Sequence, residues 1–353
     1  MSAVLPPIAT PGAGDAARSE GVWHAAWRRL RADRVGIVSM AVVGVFLLMI
    51  VLTAGGLVAR GWQKEVAVPS APPSFMGAAS AAATTEAIST PTGPIADISA
   101  VDPLAPRYKE WAERAAQYKT EETPRAQTLP FGGDRLGRDV LAKAMKGTQT
   151  SVFVGLLGAL VATLIGTVLG ALGGFFGGKI GDFLEWLYSV FTSIPDILLI
   201  LSFAVIVGRG IVSVAIILAL VGWTGVYRQV RAEFIKHSSR DYVRSAEAIG
   251  ASTGARMFRH ILPNVSHVIL VRLSLLVVAF IKYEVILSYL GLGVGVDDVS
   301  WGTMLSEAQS ELILGYWWQL VAATAFMAVF VTAFSLMTDA VRDALDPKLR
   351  GLE

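Results

Sequence analysis

The 353-residue sequence predicts an all-α polytopic membrane protein with six transmembrane helices and a long external loop between the first and second. Three observations predict it. Hydrophobic residues make up 54% of the chain and charged residues only 16%, far from soluble averages. Six apolar runs, near 35–58, 151–176, 183–207, 211–227, 266–290 and 317–338, approach the about 20 residues a helix needs to cross about 30 Å of hydrocarbon. Finally, Lys and Arg crowd the loop after the fourth run and are absent from the loop after the fifth, as expected of segments on opposite sides of a bilayer. The same composition excludes other classes. A net charge of +2 is too small to argue for nucleic acid, and zero cysteines remove disulfides, thiolate metal sites and cysteine nucleophiles together.

Residues 1–34 form a polar N-terminal segment that carries Arg28, Arg29, Arg31 and Arg34. It is too long for an ordinary cleaved signal peptide, so the run at 35–58 is expected to be a retained anchor. The external loop, 59–150, follows. Residues 69–100 are dominated by Ala, Ser, Thr and Pro and predict a flexible excursion. Residues 107–122 predict a short surface helix: Lys109 with Glu113 and Glu110 with Arg114 are i,i+4 pairs of opposite charge, and Trp111 and Tyr118 share a face.

The transmembrane core spans 151–340. Its first run holds Gly155, Gly158, Gly166, Gly170, Gly173 and Gly174, which predict close helix packing, with pore lining as the alternative. Pro195 removes a backbone donor from the next run and predicts a kink. The loop at 228–264, with Arg228, Arg231, Lys236, Arg240, Arg244, Arg256 and Arg259, is expected to be cytoplasmic. The loop at 291–316, with Asp297, Asp298, Glu307 and Glu311 and no Lys or Arg, is expected outside. Six crossings then put both termini in the cytoplasm, in agreement with the N-terminal arginines and with Arg342, Lys348 and Arg350 in the tail at 341–353. The basic residues of 59–150 run against this, but that loop exceeds the roughly 60-residue range of the charge rule.

Catalytic signals are thin. Gly173 to Ile180 nearly spells a phosphate loop, but Ile180 offers no hydroxyl for magnesium and the preceding segment is a membrane helix, so ATP hydrolysis is not expected of this chain. The four histidines, His24, His237, His260 and His267, form no metal-binding pair, and no G-x-S-x-G elbow is present. No cofactor, metal or catalytic residue is therefore assigned. Ionisable residues inside membrane runs are functional candidates. Arg272 is close enough to the inner surface to snorkel. Lys282 and Glu284, two apart, point to different faces; Glu284 is a candidate for a translocation cavity or for a bond to a neighbouring helix.

The most informative stretch is the charged island from Asp241 to Asn264. Ser239 or Asp241 can cap a helix there, the chain to Ile249 is a good helix former, Gly250 can take the left-handed conformation that ends it, and Pro263 is expected beyond a second short helix. Such an element, projecting from the membrane, suits a groove on a partner.

Its residues resemble the EAA loop of ABC-importer permeases, Glu-Ala-Ala, three residues, Gly, nine residues, Ile, one residue, Leu-Pro. Ala246, Gly250, Leu262 and Pro263 keep that spacing, whereas Arg244, Ser245 and His260 depart from it. Tyr242 onward and Arg259 to Asn264 follow the peptide-transporter branch. So do Phe131 to Val140, Leu287 to Gly293 with Ser300-Trp301-Gly302, and Asp339, Arg342, Asp343, Asp346 and Pro347, although Thr338 stands where the family has glycine. From about residue 22 onward the chain is similar to the C-type membrane subunit of dipeptide and oligopeptide ABC importers. The insert near 60–106 has no counterpart in that pattern.

The resemblance implies a type I ABC-importer permease fold, multi-pass in the bacterial cytoplasmic (inner) membrane. It implies a non-catalytic translocation subunit that works with a second, B-type permease subunit, two ABC ATPase subunits and a periplasmic or external substrate-binding protein. Asp241, Tyr242, Arg244, Ala246, Glu247, Gly250, Leu262 and Pro263 would form the ATPase-coupling loop, and Glu284 and Lys282 are the candidates for the translocation cavity. Di- or oligopeptides are the expected cargo, with nickel, glutathione and antibiotic peptides as alternatives within the subunit type. An ion-driven secondary transporter is the rival class; it would call for inverted repeats and midplane acids, and only Glu284 answers.

Overall fold

The computed structural model describes residue 28 and residues 30–77, 102–117 and 125–345. Helix α1 (Arg34–Ala54) starts where the Asp33 carboxylate accepts a hydrogen bond from the Val35 N–H at 2.9 Å. It packs on α10 (Trp318–Leu345), with Phe46 against Phe326 and Phe330 at centroid distances of 6.0 and 5.3 Å. Helix α2 (Ala105–Gln117) is the predicted surface helix and carries the Glu110–Arg114 ion pair at 2.8 Å. Trp111 meets Tyr108 there; the predicted partner Tyr118, with the rest of 118–122, lies outside the described residues.

Helix α3 (Val140–Phe176) is 37 residues long, about 55 Å, and so exceeds the hydrocarbon by several turns. It begins well before the apolar run at 151 because Asp139 caps it, accepting from the N–H groups of Leu141 and Ala142 at 2.9 and 3.4 Å. Four of its glycines line up against α6 (Ile211–Ser238), whereas Gly155 packs on Val277 and Ile281 of the helix that spans Leu262–Tyr289. A Cβ on Gly158, Gly166, Gly170 or Gly174 would meet the carbonyl oxygens of Ala215, Trp223, Tyr227 and Arg231 at 3.1, 2.6, 2.8 and 2.6 Å. The offset between partners is the same at all four, so the two helices run parallel with their backbones in contact. The packing reading of these glycines is the one the structure supports.

The third apolar run is not one kinked helix. It consists of α4 (Gly178–Thr192) and α5 (Asp196–Val207), bent by 85° at the intervening residues. Pro195 lacks an N–H and pushes Ile194 out of the helical region, so the break goes well beyond the expected kink. Helix α7 (Asp241–Ala248) leads to a short turn at Thr253–Ala255, a π-helical segment at Arg256–Ile261 and then α8 (Leu262–Tyr289). Helix α9 (Trp301–Ile313) opens on a capping box between Ser300 and Thr303 and precedes α10. Among the described residues five helices can cross a membrane by length and composition, or six if the bent pair α4–α5 is one span.

The first long loop is partly built. Residues 62–77 lie along 125–139, with bridges pairing Glu65 with Arg138, Ala67 with Ala126 and Pro73 with Leu129. Ala67 and Ala71 are buried, and a Cβ on Gly137 would sit 2.0 Å from the Ala67 carbonyl oxygen. The flexible excursion expected from residue 69 therefore does not begin there: 70–73 pack against the facing strand of chain, with Ala71 and Pro73 buried, while 74–77 are exposed and 78–100 lie outside the described residues.

A buried polar cluster ties this loop to the bundle. Lys143, 1% exposed, donates to Asp134 at 2.7 Å, Glu307 at 2.5 Å and Gln319 at 3.3 Å. Arg138 adds a 2.6 Å bond to Asp134, and Glu311 accepts from the Arg135 N–H at 2.9 Å. Burial pushes the Asp134 carboxyl up, but Lys143 and Arg138 more than offset it and hold the group below its ordinary value. Burial raises Glu311, only partly opposed by the Arg135 N–H and Lys143.

Candidate functional site

The charged island forms a bracket at the shared end of α6 and α8. Helix α7 is amphipathic on a small scale: Val243 and Ala246, three apart, face inward and are buried. Val243 joins Val226, Val230 and Phe234 of α6, Ala171 of α3, Met257 and Ile261 of the π segment and Val265 of α8 in one apolar cluster. Asp241, Tyr242, Arg244, Glu247 and Ile249 face outward, and Ile249 is 86% exposed. A rigid inner face thus holds up an outer face of mixed charge with one bare aliphatic side chain.

Both ends of α7 have identifiable causes. Neither expected residue caps its start: Arg240 occupies the N-cap without a side-chain bond, and Ser239 is turned back onto the Lys236 carbonyl at 3.0 Å. Asp241 instead lies in the first turn, where a carboxylate favours the helix dipole. At the other end Gly250 has φ +89°, its N–H donates to the Glu247 carbonyl at 2.9 Å, and the Ala251 N–H reaches the Ala246 carbonyl at 2.9 Å. This pair of bonds is a Schellman cap, as the sequence predicts for Gly250.

Pro263 is not beyond a short helix. It sits in the first turn of α8, in helical continuity with Thr253–Ile261. The wider π turn at Arg256–Ile261 immediately precedes it, where a proline deprives the chain of one N–H and crowds the preceding turn. Leu262 is half-buried, Pro263 and Asn264 are exposed, and the Asn264 amide donates to the His260 carbonyl at 2.7 Å.

Arg256 fastens the bracket to the bundle. Its guanidinium pairs with Glu247 of α7 at 2.6 Å and lies over the Phe175 ring, at the end of α3, at 5.4 Å from the centroid. Tyr242 adds a 2.8 Å bond to Nδ1 of His237 on α6. The roles of Arg256, Phe175, His237 and Ile249 are not readable from the chain. Phe175 is distant in sequence from its partner, and only the charge of Arg256 and the apolar character of Ile249 are visible signals.

The other candidates lie elsewhere. Glu284 is fully buried in α8 and accepts from Ser288 at 2.6 Å; Lys282 is exposed on a different face of the same helix, as their spacing requires. Arg272 does not simply extend toward the membrane surface; its Nε donates to the Gln229 side chain on α6. Asp196, exposed at the α4–α5 break, is an ionisable residue within an apolar run and was not among the sequence candidates. Its place just after Pro195 is the available signal.

Residues 162–351 match the family described as binding-protein-dependent transport system inner membrane component. The dipeptide transport system permease protein DppC of Bacillus subtilis (strain 168) is 35% identical over 62% of this chain and 69% of its own length. The oligopeptide transport system permease protein OppC of the same organism is 32% identical over 70% of this chain and 81% of its own. A solved chain of the MetNI methionine ABC transporter, in an inward facing conformation, overlaps 58% of this chain and 96% of that one, at 15% identity and a TM-score of 0.48.

Proposed function

This chain belongs to the binding-protein-dependent transport system inner membrane components, non-catalytic multi-pass permeases, and from that premise we propose that it is one transmembrane half of an ATP-driven importer of di- or oligopeptides. The cargo follows the names of its relatives, a dipeptide and an oligopeptide permease. A second permease subunit completes the pathway, two ATPase subunits supply the energy, and a binding protein delivers the peptide from outside. Both termini and the bracket at 241–263 face the cytoplasm; the end carrying Lys143 and α9 faces outward. Lys282, exposed on α8, is the residue of the Lys282–Glu284 pair that a pathway could reach.

One observation carries the reading: α7 is a short, firmly capped helix whose buried side is locked to three spans and whose outer side offers Tyr242, Arg244, Glu247 and Ile249 to a partner. Closure of the ATPases would push on α7, and Val243, Ala246 and Arg256 would pass the displacement to α3, α6 and α8. Alternating access of the bundle follows from that rigid link. Gly250→Leu tests it. A leucine at φ +89° costs about 1–2 kcal/mol and undoes the cap, so ATPase co-purification should fall while membrane insertion persists. Unchanged co-purification together with unchanged substrate-stimulated ATP turnover would refute the assignment.

A further inference from the structure

We propose that the Ser74–Met76 turn of the first long loop is a membrane-interface anchor, with Phe75 and Met76 entering the boundary between lipid headgroups and acyl chains beside Trp317. The proposal needs only that α1 and α10 span a bilayer and is independent of the cargo. Backbone bonds fix the turn: the Ser74 N–H donates to the Leu129 carbonyl at 2.8 Å, the Met76 N–H donates to the Pro73 carbonyl at 2.9 Å, and the chain leaves through Gly77 at φ +76°. Pro73 is buried, so the chain is held from behind while Phe75 and Met76 stay 66% and 54% exposed. The Phe75 ring is braced on Phe131 and Trp317, at centroid distances of 6.3 and 6.4 Å. Two adjacent bare apolar side chains on a fixed backbone, continuous with Trp317, form a patch for a partner to cover.

The level of Trp317 makes that partner lipid. Asp339 is the first charged residue of α10, and about 20 residues counted back from it, the length that crosses the hydrocarbon, end near Gln319. Helix α1 gives the same level. It runs antiparallel to α10, with Gly36 against Ala340 and Phe46 against Phe326 and Phe330, so that its last residue, Ala54, comes opposite the first turn of α10. Tyr316, Trp317 and Trp318 therefore stand at headgroup level, where the aromatic residues of membrane helices collect. The Phe75 contact brings the turn to that level. Its sequence suits lipid as well: no charged residue occurs from Val66 to Thr85, so the turn carries no charge to the edge of hydrocarbon. A protein partner guided by charge would find nothing there to recognise.

Because the chain has no cysteine, a spin label can be placed at one chosen site before the complete importer is assembled, with its second permease, ATPases and binding protein, in phosphatidylcholine vesicles. Collisions of the label with oxygen, which concentrates among acyl chains, and with a nickel chelate, which stays in water, are compared in Phe75→Cys, Met76→Cys and Arg125→Cys. Arg125 reports water, because its ion pair with Glu65 on the same loop is solvent-exposed. The oxygen-to-nickel ratio at 75 and 76 should exceed the ratio at 125 several-fold. Equal ratios at the three sites would overturn the proposal. So would labels at 75 and 76 that neither reagent reaches, which would mark a contact with the second permease or the binding protein. If Phe75→Cys loosens the turn by losing its ring contacts, Met76→Cys, which keeps both rings in place, decides alone by the same criteria. A wild-type importer that takes up no peptide would sink the peptide reading and leave this result standing.

Discussion

Replacing Arg256 with glutamine should uncouple ATP turnover from transport without dismantling the chain. The Glu247–Arg256 pair is unevenly exposed, 60% on the glutamate side and 18% on the arginine side, so solvent screens it and it contributes about 0.2–1 kcal/mol. The Arg256–Phe175 contact adds about 0.5–1 kcal/mol, more where water is excluded. Loss of both weakens the link between α7 and α3 by about 0.7–2 kcal/mol, a factor of about 3–30 in the population of the correctly docked bracket. That is too little to unfold a helix whose Val243 and Ala246 stay buried, and enough to let it slip under load. The assay is binding-protein-stimulated ATPase activity of the reconstituted importer: stimulation should drop several-fold in Arg256→Gln while basal turnover stays. Glu247→Gln and Phe175→Leu should each produce part of the effect, and a double-mutant cycle on Glu247 and Arg256 should give a coupling energy below about 1 kcal/mol. Full stimulation in Arg256→Gln, or loss of basal and stimulated turnover in parallel, would refute the role given to this residue.

Other contacts can be checked in the same preparation. Lys143→Met removes the buried cation shared by Asp134 and Glu307 but leaves both paired with Arg138, so it should cost about 1–3 kcal/mol, read as a drop in thermal midpoint in detergent; an unchanged midpoint would contradict it. Because the folded Asp134 carboxyl sits below its ordinary value, its contribution is complete above about pH 4, the unfolded value, and is lost as pH falls through the lower folded one. Asp134→Asn should therefore flatten the stability profile at its acid end. Glu311 has the opposite sign: its raised folded value means the folded state gains as pH falls through it, so Glu311→Gln should raise stability near neutral pH and change little in acid. Gly170→Val places side-chain atoms against the Tyr227 carbonyl and should destabilise by about 1–3 kcal/mol, whereas Gly254→Ala, with open space around it, should not.

Much of the architecture is legible in the chain because the bilayer imposes simple rules. Apolar length marks the spans, and the glycines of α3 announce a close contact, although only the structure shows that Gly158, Gly166, Gly170 and Gly174 all rest on α6. Gly250 can be read because few residues other than glycine tolerate φ +89°. What stays hidden depends on distant pairing. Asp134, Lys143, Glu307 and Gln319 look like ordinary polar residues until α3, α9 and α10 bring them together. The start of α7 differs from expectation because two good capping residues, Ser239 and Asp241, flank an arginine that takes the cap position, and local preference does not decide between adjacent sites. Pro263 suggests a stop, yet the preceding π turn lets one helical run carry through it.

The proposed function has this chain move its cargo by receiving work from an ATPase at residues 241–263. The most direct measurement is peptide accumulation in proteoliposomes holding the complete importer and its binding protein, with ATP on the ATPase side and no ion gradient. ATP-dependent accumulation that Gly250→Leu abolishes, with the variant still in the membrane, is the predicted result. Accumulation driven by an ion gradient in vesicles that hold this chain without any ATPase would contradict it.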